Sequence, residues 1–273
     1  MTLALLGAGF VHANGHRALH PLGLQVARGE RVAVIGPSGA GKTSLLRLAS
    51  TSQRPSEGRI DVLGIDPWQL DARQLKSLRT RIGVVHQAPP IPPRLRVVTA
   101  VLAGRLGRWS TRRALTSLLR PVDAAGAQAA LARLDMAERL YERCDRLSGG
   151  QLQRVGIARV LYQAPELILA DEPVSALDPA LADAALRELV AQSEQTGATL
   201  VASLHAVDLA LRRFGRVVGL REGRMLFDKP AGQVTAAMLS ELYATEGGTP
   251  PTQLQDAGRA LAGASLAPAE MCR

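Results

Sequence analysis

The stretch GPSGAGKT, from Gly36 to Thr43, has the residue types and spacing that bind the phosphates of a nucleotide. Its glycines let the backbone curl so that successive N–H groups converge on an anion, and a following helix would present the positive end of its dipole. Lys42 is expected to reach the β- and γ-phosphates, and the Thr43 hydroxyl to ligate Mg²⁺. A chance glycine-rich turn is the alternative, but a buried strand before the stretch and a helix after it argue against that. The predicted site comprises Gly36, Pro37, Ser38, Gly39, Ala40, Gly41, Lys42, Thr43 and Ser44.

A carboxylate that holds the metal is expected where another apolar strand ends. The segment LILADEP places Asp171 and Glu172 at such an end. Asp171 is predicted to bind Mg²⁺ through water, and Glu172 to act as the base that polarises the attacking water. An acidic pair at a strand end is more often an edge feature or a helix cap. The complete phosphate loop upstream reverses that preference.

Two further polar residues follow predicted strands. His205 ends TLVASLH, and Gln87 comes just after RIGVVH. Because parallel strands deliver their carboxyl ends to one crevice, His205 is predicted to sense the γ-phosphate. Gln87 would reach the metal or the water through its amide. Either residue alone would indicate little.

A second anion cradle occurs in LSGGQLQR, from Leu147 to Arg154. Two adjacent glycines open a predicted helix, and within one chain such a cradle would duplicate the first. It becomes useful only if it covers the γ-phosphate of an ATP that another copy holds. The sequence therefore predicts a head-to-tail dimer with two ATP molecules sandwiched between the chains, each contacted by Ser148, Gly149, Gly150 and Gln151.

Short apolar segments alternate with turn residues and helical stretches, which is typical of an α/β fold. Strands are predicted at ALLGAGFV, LGLQVA, RVAVIG, GRIDVLG, RIGVVHQ, ELILAD and ATLVASLH, with a hairpin at RVVGLREGRMLFD. Helices are predicted from Gly41 to about Ala49, from about Gln151, from about Pro179 and before the hairpin. This order implies a mostly parallel sheet with helices on its faces.

The chain divides into a nucleotide-binding domain and a tail. The Arg- and Ala-rich segment after Gln87 predicts a helical subdomain at about 88–160 within a domain of residues 1–245. Residues 246–273 lose strong periodicity and are predicted to be flexible.

The composition is that of a globular protein, with 47% hydrophobic and 21% charged residues. Aromatic residues make up only 3%, so the core must be aliphatic. No apolar run approaches the ~20 residues that span a bilayer, and a signal peptide is not expected.

A net charge of +9 fits binding to nucleic acid or to an anionic membrane surface, but arginines scattered over the surface are the preferred explanation. No nucleic-acid partner is expected. Two cysteines suit a reducing, cytoplasmic compartment.

The motifs GPSGAGKT, LSGGQLQR, LILADEP and SALDP, together with Gln87 and His205, stand in the order and approximate spacing of the ATP-binding-cassette ATPases. The resemblance covers roughly residues 3–230. It implies a P-loop NTPase fold with a mostly parallel core sheet, an antiparallel β subdomain and a helical subdomain that carries the signature. It also implies an ATP-clamped dimer, communication across its interface through Asp178, and contact of the segment after Gln87 with a membrane-embedded partner.

Finer resemblance points to import of phosphonates or related phosphorus oxyanions. The segments VLAGRLGRWST, RVGIARVLYQAPELILADEPVSALDP and SLHAVDLA are similar to those of phosphonate-import ATPases. Such a subunit would sit peripherally on the cytoplasmic face of the inner membrane, bound to integral permease subunits and indirectly served by a substrate-binding protein. Two alternatives remain: a soluble cassette ATPase of a phosphonate-degrading or nucleic-acid-acting complex, and an importer ATPase for another cargo.

His12 departs from the family pattern. The corresponding position usually carries an aromatic residue that stacks on adenine, so the resemblance implies that His12 binds the base, although an imidazole ring offers a smaller stacking surface. His12, His16 and His20 also recur every four residues, a metal-like spacing on a helix. Because Gly15 and Pro21 interrupt, a strand and turn is the preferred prediction there.

Overall fold

The computed structural model describes residues 1–244 of the 273-residue chain. The predicted flexible tail, residues 246–273, lies outside the described residues. The strands are β1 Leu3–Val11, β2 Arg17–Val26, β3 Arg31–Ile35, β4 Glu57–Val62, β5 Ile82–Val85, β6 Leu167–Asp171, β7 Thr199–Ser203, β8 Arg216–Arg221 and β9 Arg224–Pro230. The helices are α1 Lys42–Ala49, α2 Ala72–Thr80, α3 Val97–Leu102, α4 Thr111–Leu119, α5 Ala124–Ala132, α6 Gly149–Gln163, α7 Pro179–Thr196, α8 Val207–Arg213 and α9 Ala236–Tyr243.

The core sheet has six strands in the order β5-β6-β7-β3-β8-β9. Every neighbouring pair is parallel except the β8–β9 hairpin at one edge. Parallel neighbours place their carboxyl ends at the same edge of a sheet, so the loops after β3, β5, β6 and β7 open on one side. These are the loops that carry the predicted site residues.

A second sheet is antiparallel, with the order β2-β1-β4. Together with the mostly parallel core sheet and the helices, it confirms the predicted fold class. The turn between β1 and β2 carries His12 and His16, while His20 lies within β2. The three histidines therefore lie on a strand and a turn, and not on one helix face.

Alternating residues of β3 bury opposite faces of the core sheet. Val32 and Val34 pack with α1 and the antiparallel sheet in one cluster. Ala33 and Ile35 belong to a larger cluster with α3 and α5 to α9. A strand buried on both faces is apolar throughout, as RVAVI is. The buried aromatic side chains in the described range are Tyr162, Phe214 and Phe227, so the core is aliphatic as predicted.

The segment between β5 and β6 is helical, and α6 packs against α3 and α5. α6 begins at Gly149, in agreement with the prediction that the two signature glycines open a helix, and Ser148 caps it. One sequence expectation needs correction: β7 ends at Ser203, so His205 lies in the following loop and not at the end of the strand. α2 and α9 were not predicted, although Asp71 and Gln74 form a capping box at the start of α2.

None of the helices found in residues 1–244 combines the length and apolarity that a bilayer crossing requires.

Candidate active site

The loop after β3 wraps tightly, and two of its glycines are required by close approaches. Gly36 has φ 151° and Gly41 has φ 97°, values that L side chains rarely adopt. A Cβ at Gly36 would lie 2.0 Å from the Leu220 carbonyl oxygen, and one at Gly41 would lie 2.5 Å from the Ala18 oxygen. Gly41 is the N-cap of α1 and supplies no side-chain cap. The N–H groups of the first turn are therefore available to an anion.

Lys42 is 5% exposed, and its ammonium lies inside the curl of this loop. Its Nζ donates to the carbonyl oxygens of Gly36, at 2.8 Å, and Pro37, at 3.0 Å. Burial lowers the pKa of Lys42, while the negative charges of Glu172 and Asp171 oppose that shift. The ammonium group of Lys42 therefore lies in the loop that is predicted to bind the phosphates of ATP.

Three oxygen atoms meet beside α1. The Thr43 hydroxyl donates to Asp171 Oδ1 at 3.1 Å, and the Ser203 hydroxyl donates to the same oxygen at 2.8 Å. Mg²⁺ prefers oxygen ligands in proteins and keeps several of its waters. The predicted pair Thr43 and Asp171 therefore fits Mg²⁺ in its donor chemistry, and this fit holds whether Asp171 binds directly or through water.

Glu172 adopts a backbone conformation that is unusual for its residue type. Its φ is 46°, in the left-handed region, and its N–H donates to Ser203 Oγ at 3.0 Å. Such strain costs on the order of 1–3 kcal/mol and persists where surrounding contacts fix it. The turn brings the carboxylate of Glu172 to two residues that the sequence predicts for the site in other roles, Gln87 at the metal or the water and His205 at the γ-phosphate. Gln87 Nε2 donates to its Oε2 at 2.7 Å, and His205 Nε2 lies 2.5 Å from its Oε1.

A cleft of about 400 Å³ joins these groups. Its lining residues are His12, His16, Ala18, Ser38, Gly39, Ala40, Gly41, Lys42, Thr43, Ser44, Gln87, Glu172 and His205. Eleven of these thirteen were predicted from sequence as site residues, and His16 and Ala18 were not. The His12 ring meets Phe10 edge-on and lies parallel to His16, with centroids 6.0 Å apart.

The signature residues do not line this cleft in the described chain. Ser148 and Gln151 form a capping box, in which each side chain bonds the other's backbone N–H. A Cβ at Gly150 would lie 2.8 Å from the Ala176 oxygen, whereas one at Gly149 would meet nothing within 4 Å among the described residues. The two glycines therefore differ: Gly150 permits close packing within the chain, and Gly149 leaves the surface open.

Asp178 lies outside the cleft as well and caps α7, where its carboxylate accepts from the Leu181 N–H at 3.0 Å. Pro179 occupies the first turn, as is common at helix starts. The Asp178 side chain is thus used locally, and its predicted role across a dimer interface remains a prediction.

Sequence reasoning missed Ser203 and Gln153. Ser203 precedes His205 by two residues and bonds both Asp171 and Glu172. Gln153 is fully buried on α6 and bonds the loops that carry Gln87 and Glu172. A glutamine at a core-facing position of a predicted helix was the available signal for Gln153.

The parallel sheet, the phosphate loop and the paired Asp171 and Glu172 define a nucleotide-hydrolysing cassette. The family model described as ABC transporter matches residues 19–175, and the chain belongs to that family. Among its relatives, the phosphonates import ATP-binding protein PhnC 1 of Cupriavidus necator is 60% identical, covering 98% of this chain and 96% of the relative. The protein of the same name from Pseudomonas aeruginosa PAO1 is 62% identical over 90% of this chain and 92% of that one. The predicted resemblance to phosphonate-import ATPases is thereby confirmed.

Solved structures agree on the fold. The dimeric post-hydrolysis state of the ATP-binding cassette MJ0796, bound to ADP and Pi, is 27% identical with a TM-score of 0.72, covering 84% of this chain and 99% of that one. An inward-facing ABC transporter of putative metal-chelate type is 27% identical with a TM-score of 0.71, and the match covers 89% of this chain and 88% of that one. ABC cassettes thus bind adenine nucleotide and form dimers, and they occur with transmembrane subunits.

Proposed function

We propose that this chain is the ATP-hydrolysing subunit of a membrane importer for phosphonates or related phosphorus oxyanions. The main support for ATP hydrolysis is the position of the Glu172 carboxylate, which contacts Gln87 and His205 at the cleft that contains Lys42. Identity of about 60% to phosphonates import ATP-binding proteins, over nearly the full chain, supports the cargo.

In this proposal the phosphate loop binds ATP through its N–H groups and Lys42, and His12 stacks on adenine. Mg²⁺, when bound at Thr43 and Asp171, supplies positive charge against the phosphate oxygens. Glu172 accepts a proton from water as the water oxygen bonds to the γ-phosphorus, and the bond to the β–γ bridging oxygen breaks. Gln87 orients the carboxylate and the water, and His205 senses the γ-phosphate.

The second chain completes the site. Ser148, Gly149 and Gly150 of one copy would cover the γ-phosphate in the other, with Gln151 organising that turn through its capping box and Asp178 beside the interface. A larger cavity of about 700 Å³ shares the lining residues Glu172 and His205 with the cleft that contains Lys42 and is also lined by Val174, Leu177 and Leu209. A partner chain with apolar contacts would fill it, which supports an interface at this face.

Transport requires partners that this chain does not contain. The segment after Gln87 is proposed to dock on integral permease subunits, which hold the cassette at the cytoplasmic face of the inner membrane. Closure of the ATP dimer would then move the permease, while a substrate-binding protein delivers cargo on the other side. The domain of residues 1–245, with its helical subdomain at 88–160, would perform the ATPase cycle.

Uptake of a labelled alkylphosphonate tests the proposal, with phosphate, phosphite and an amino acid as competitors. The source cell would be compared with a deletion strain complemented by wild type or by Lys42→Ala. Uptake restored only by wild type, and not competed by the amino acid, is expected. Uptake competed by an amino acid would assign another cargo, and normal uptake in a strain that carries no second phosphonate system would remove the phosphonate assignment.

A further inference from the structure

Gln153 lies in the second turn of α6 and is fully buried. Its side-chain amide is satisfied at both ends. Nε2 donates to the Glu172 carbonyl oxygen at 3.0 Å, with longer contacts of 3.4 Å to the Gln87 oxygen and Ser175 Oγ. Oε1 accepts from the Ala176 N–H at 3.0 Å. One side chain thus joins the signature helix to the loops after β5 and β6.

These contacts act on the strained part of the site. The Glu172 N–H donates to Ser203 Oγ. The Glu172 carbonyl oxygen accepts hydrogen bonds from Gln153 Nε2 and from the Ser175 hydroxyl, the second at 3.2 Å. A non-glycine residue with positive φ stays in that conformation only when its surroundings fix it. The direction of the Glu172 carboxylate follows from that backbone. Gln153 therefore contributes to where the carboxylate points.

The chemistry of the position favours an amide. An unsatisfied polar group in the interior costs roughly 1–3 kcal/mol, so an apolar residue would be the simpler choice for packing alone. The site needs a donor toward the carbonyl oxygens of Glu172 and Gln87 and an acceptor toward the Ala176 N–H. Asn and Gln carry both on the two terminal atoms of one planar amide, and Gln has the longer reach.

We infer that Gln153 is a positioning residue for ATP hydrolysis. It fixes the backbone at Glu172 and Gln87, so that their side chains keep the 2.7 Å contact, and it ties that geometry to the helix that begins with the signature. This inference rests on the proposed function, because it takes Glu172 as the general base. A group that only fills space at this position would influence folding but not the rate of the chemical step.

Gln163 provides a matched control on the same helix. It is also buried, and its Nε2 donates to the carbonyl oxygens of Ile82, at 2.8 Å, and Thr80, at 3.2 Å. Those residues lie at the opposite end of β5 from Gln87. Gln163→Met therefore removes a comparable buried amide without touching the Glu172 turn.

The experiment measures steady-state ATPase activity, ATP affinity and thermal unfolding for Gln153→Met and Gln163→Met. Gln153→Met should lower kcat about 10- to 100-fold, as expected for a displaced catalytic group, with the KM for MgATP nearly unchanged. Gln163→Met should lose similar thermal stability and keep the wild-type kcat. Equal kcat losses in both variants, or no loss in Gln153→Met, would overturn the inference. If Gln153→Met does not fold, Gln153→Asn serves instead, because it keeps the amide but is one methylene shorter and so lengthens the contacts with Glu172 and Ala176.

A double variant separates positioning from general damage. In a Glu172→Gln background the residual single-turnover rate no longer depends on the base, so adding Gln153→Met should lower it far less than it lowers the wild-type rate. A full additive loss would show general damage and refute positioning. If Glu172→Gln alone retained the wild-type rate, the proposed base would be wrong. If Glu172→Gln were inactive while Gln153→Met were fully active, only the present inference would fail.

Discussion

Gln87 donates from Nε2 to Glu172 Oε2 at 2.7 Å, although the two residues are 85 positions apart in the chain. They meet because each follows a parallel strand, β5 and β6, and these strands are neighbours in the core sheet. A hydrogen bond to a charged acceptor is shorter and stronger than one between neutral groups. The amide therefore aims the carboxylate over the cleft that contains Lys42.

Replacement of this carboxylate tests the assignment of the base. Glu172→Gln keeps the size of the side chain and removes the proton acceptor, so kcat should fall about 10²- to 10⁴-fold. ATP binding should persist, because the phosphate loop is untouched, and a dimer with trapped ATP should accumulate. Steady-state hydrolysis and size-exclusion chromatography with ATP measure the two effects.

Glu166→Gln is the matched control, since Glu166 precedes the same strand and pairs with Arg81 at the opposite end of β6. It should leave kcat within about twofold of wild type, as is usual for a surface ion pair. Wild-type hydrolysis by Glu172→Gln would assign the base to another residue.

Much of the site could be predicted because its residues sit at motif positions with a local cause. Gly36 to Ser44 follow an apolar strand and open a helix, and this order alone indicates the phosphate loop. Asp171, Glu172 and Gln87 follow strands in the same way. The sheet then brings them together without any further signal, as parallel strands require.

The parts that sequence did not predict depend on contacts between distant segments. Gln153 acquires its meaning only when α6 lies against the Glu172 turn, and Ser203 only when β7 lies beside β6. The sequence does carry local signals such as the capping box of Asp71 and Gln74 at the start of α2. It carries no comparable signal for these contacts between distant segments.

Removal of one oxygen tests the proposed Mg²⁺ site. Thr43→Val keeps the shape of the side chain but loses the hydroxyl that lies 3.1 Å from Asp171 Oδ1. Wild-type protein should bind ATP more tightly with Mg²⁺ than with EDTA, and Thr43→Val should lose most of that difference, because a ligand oxygen is gone. Isothermal titration with and without Mg²⁺ measures it, and Thr43→Ser, which keeps the hydroxyl, should behave as wild type. An equal Mg²⁺ effect in Thr43→Val would exclude this residue as a ligand.

The two signature glycines should respond differently to alanine. A Cβ at Gly149 meets no described atom within 4 Å, so Gly149→Ala should keep the melting temperature and the ATP affinity of the single chain. Its hydrolysis should nevertheless fall, because the added methyl would face the nucleotide held by the partner chain. Gly150→Ala should lower the melting temperature, since its Cβ would lie 2.8 Å from the Ala176 oxygen.

Differential scanning fluorimetry and ATPase assays separate these outcomes. Dimer formation in the Glu172→Gln background supplies a second measurement, and Gly149→Ala should reduce it. Normal hydrolysis and normal dimerisation by Gly149→Ala would contradict a signature that covers the partner's ATP.

The hydrogen bond between Tyr162 and Asp123 should make the stability of the helical segment depend on pH. The Tyr162 hydroxyl donates to Asp123 Oδ2 at 2.8 Å, and Asp123 also caps α5 through the Gly126 N–H. The Tyr162 hydrogen bond is the main reason that the pKa of Asp123 is lowered, against the effect of partial burial. Burial, aided by Asp123, raises the pKa of Tyr162 to about 12, so the tyrosine stays neutral at physiological pH.

Tyr162→Phe should therefore destabilise the protein by about 1–2 kcal/mol near neutral pH, where it removes a hydrogen bond to a charged acceptor. A carboxyl whose pKa is lowered by folding contributes stability above its unfolded pKa, about 3.9 for Asp, and loses it as pH falls through the folded value. The difference from wild type should thus be constant from neutral pH down to about pH 5 and shrink below about pH 4. Urea unfolding across this range measures it, with Tyr141→Phe, whose side chain is exposed, as the control. A difference that grew on acidification would show that Tyr162 does not act through ionised Asp123.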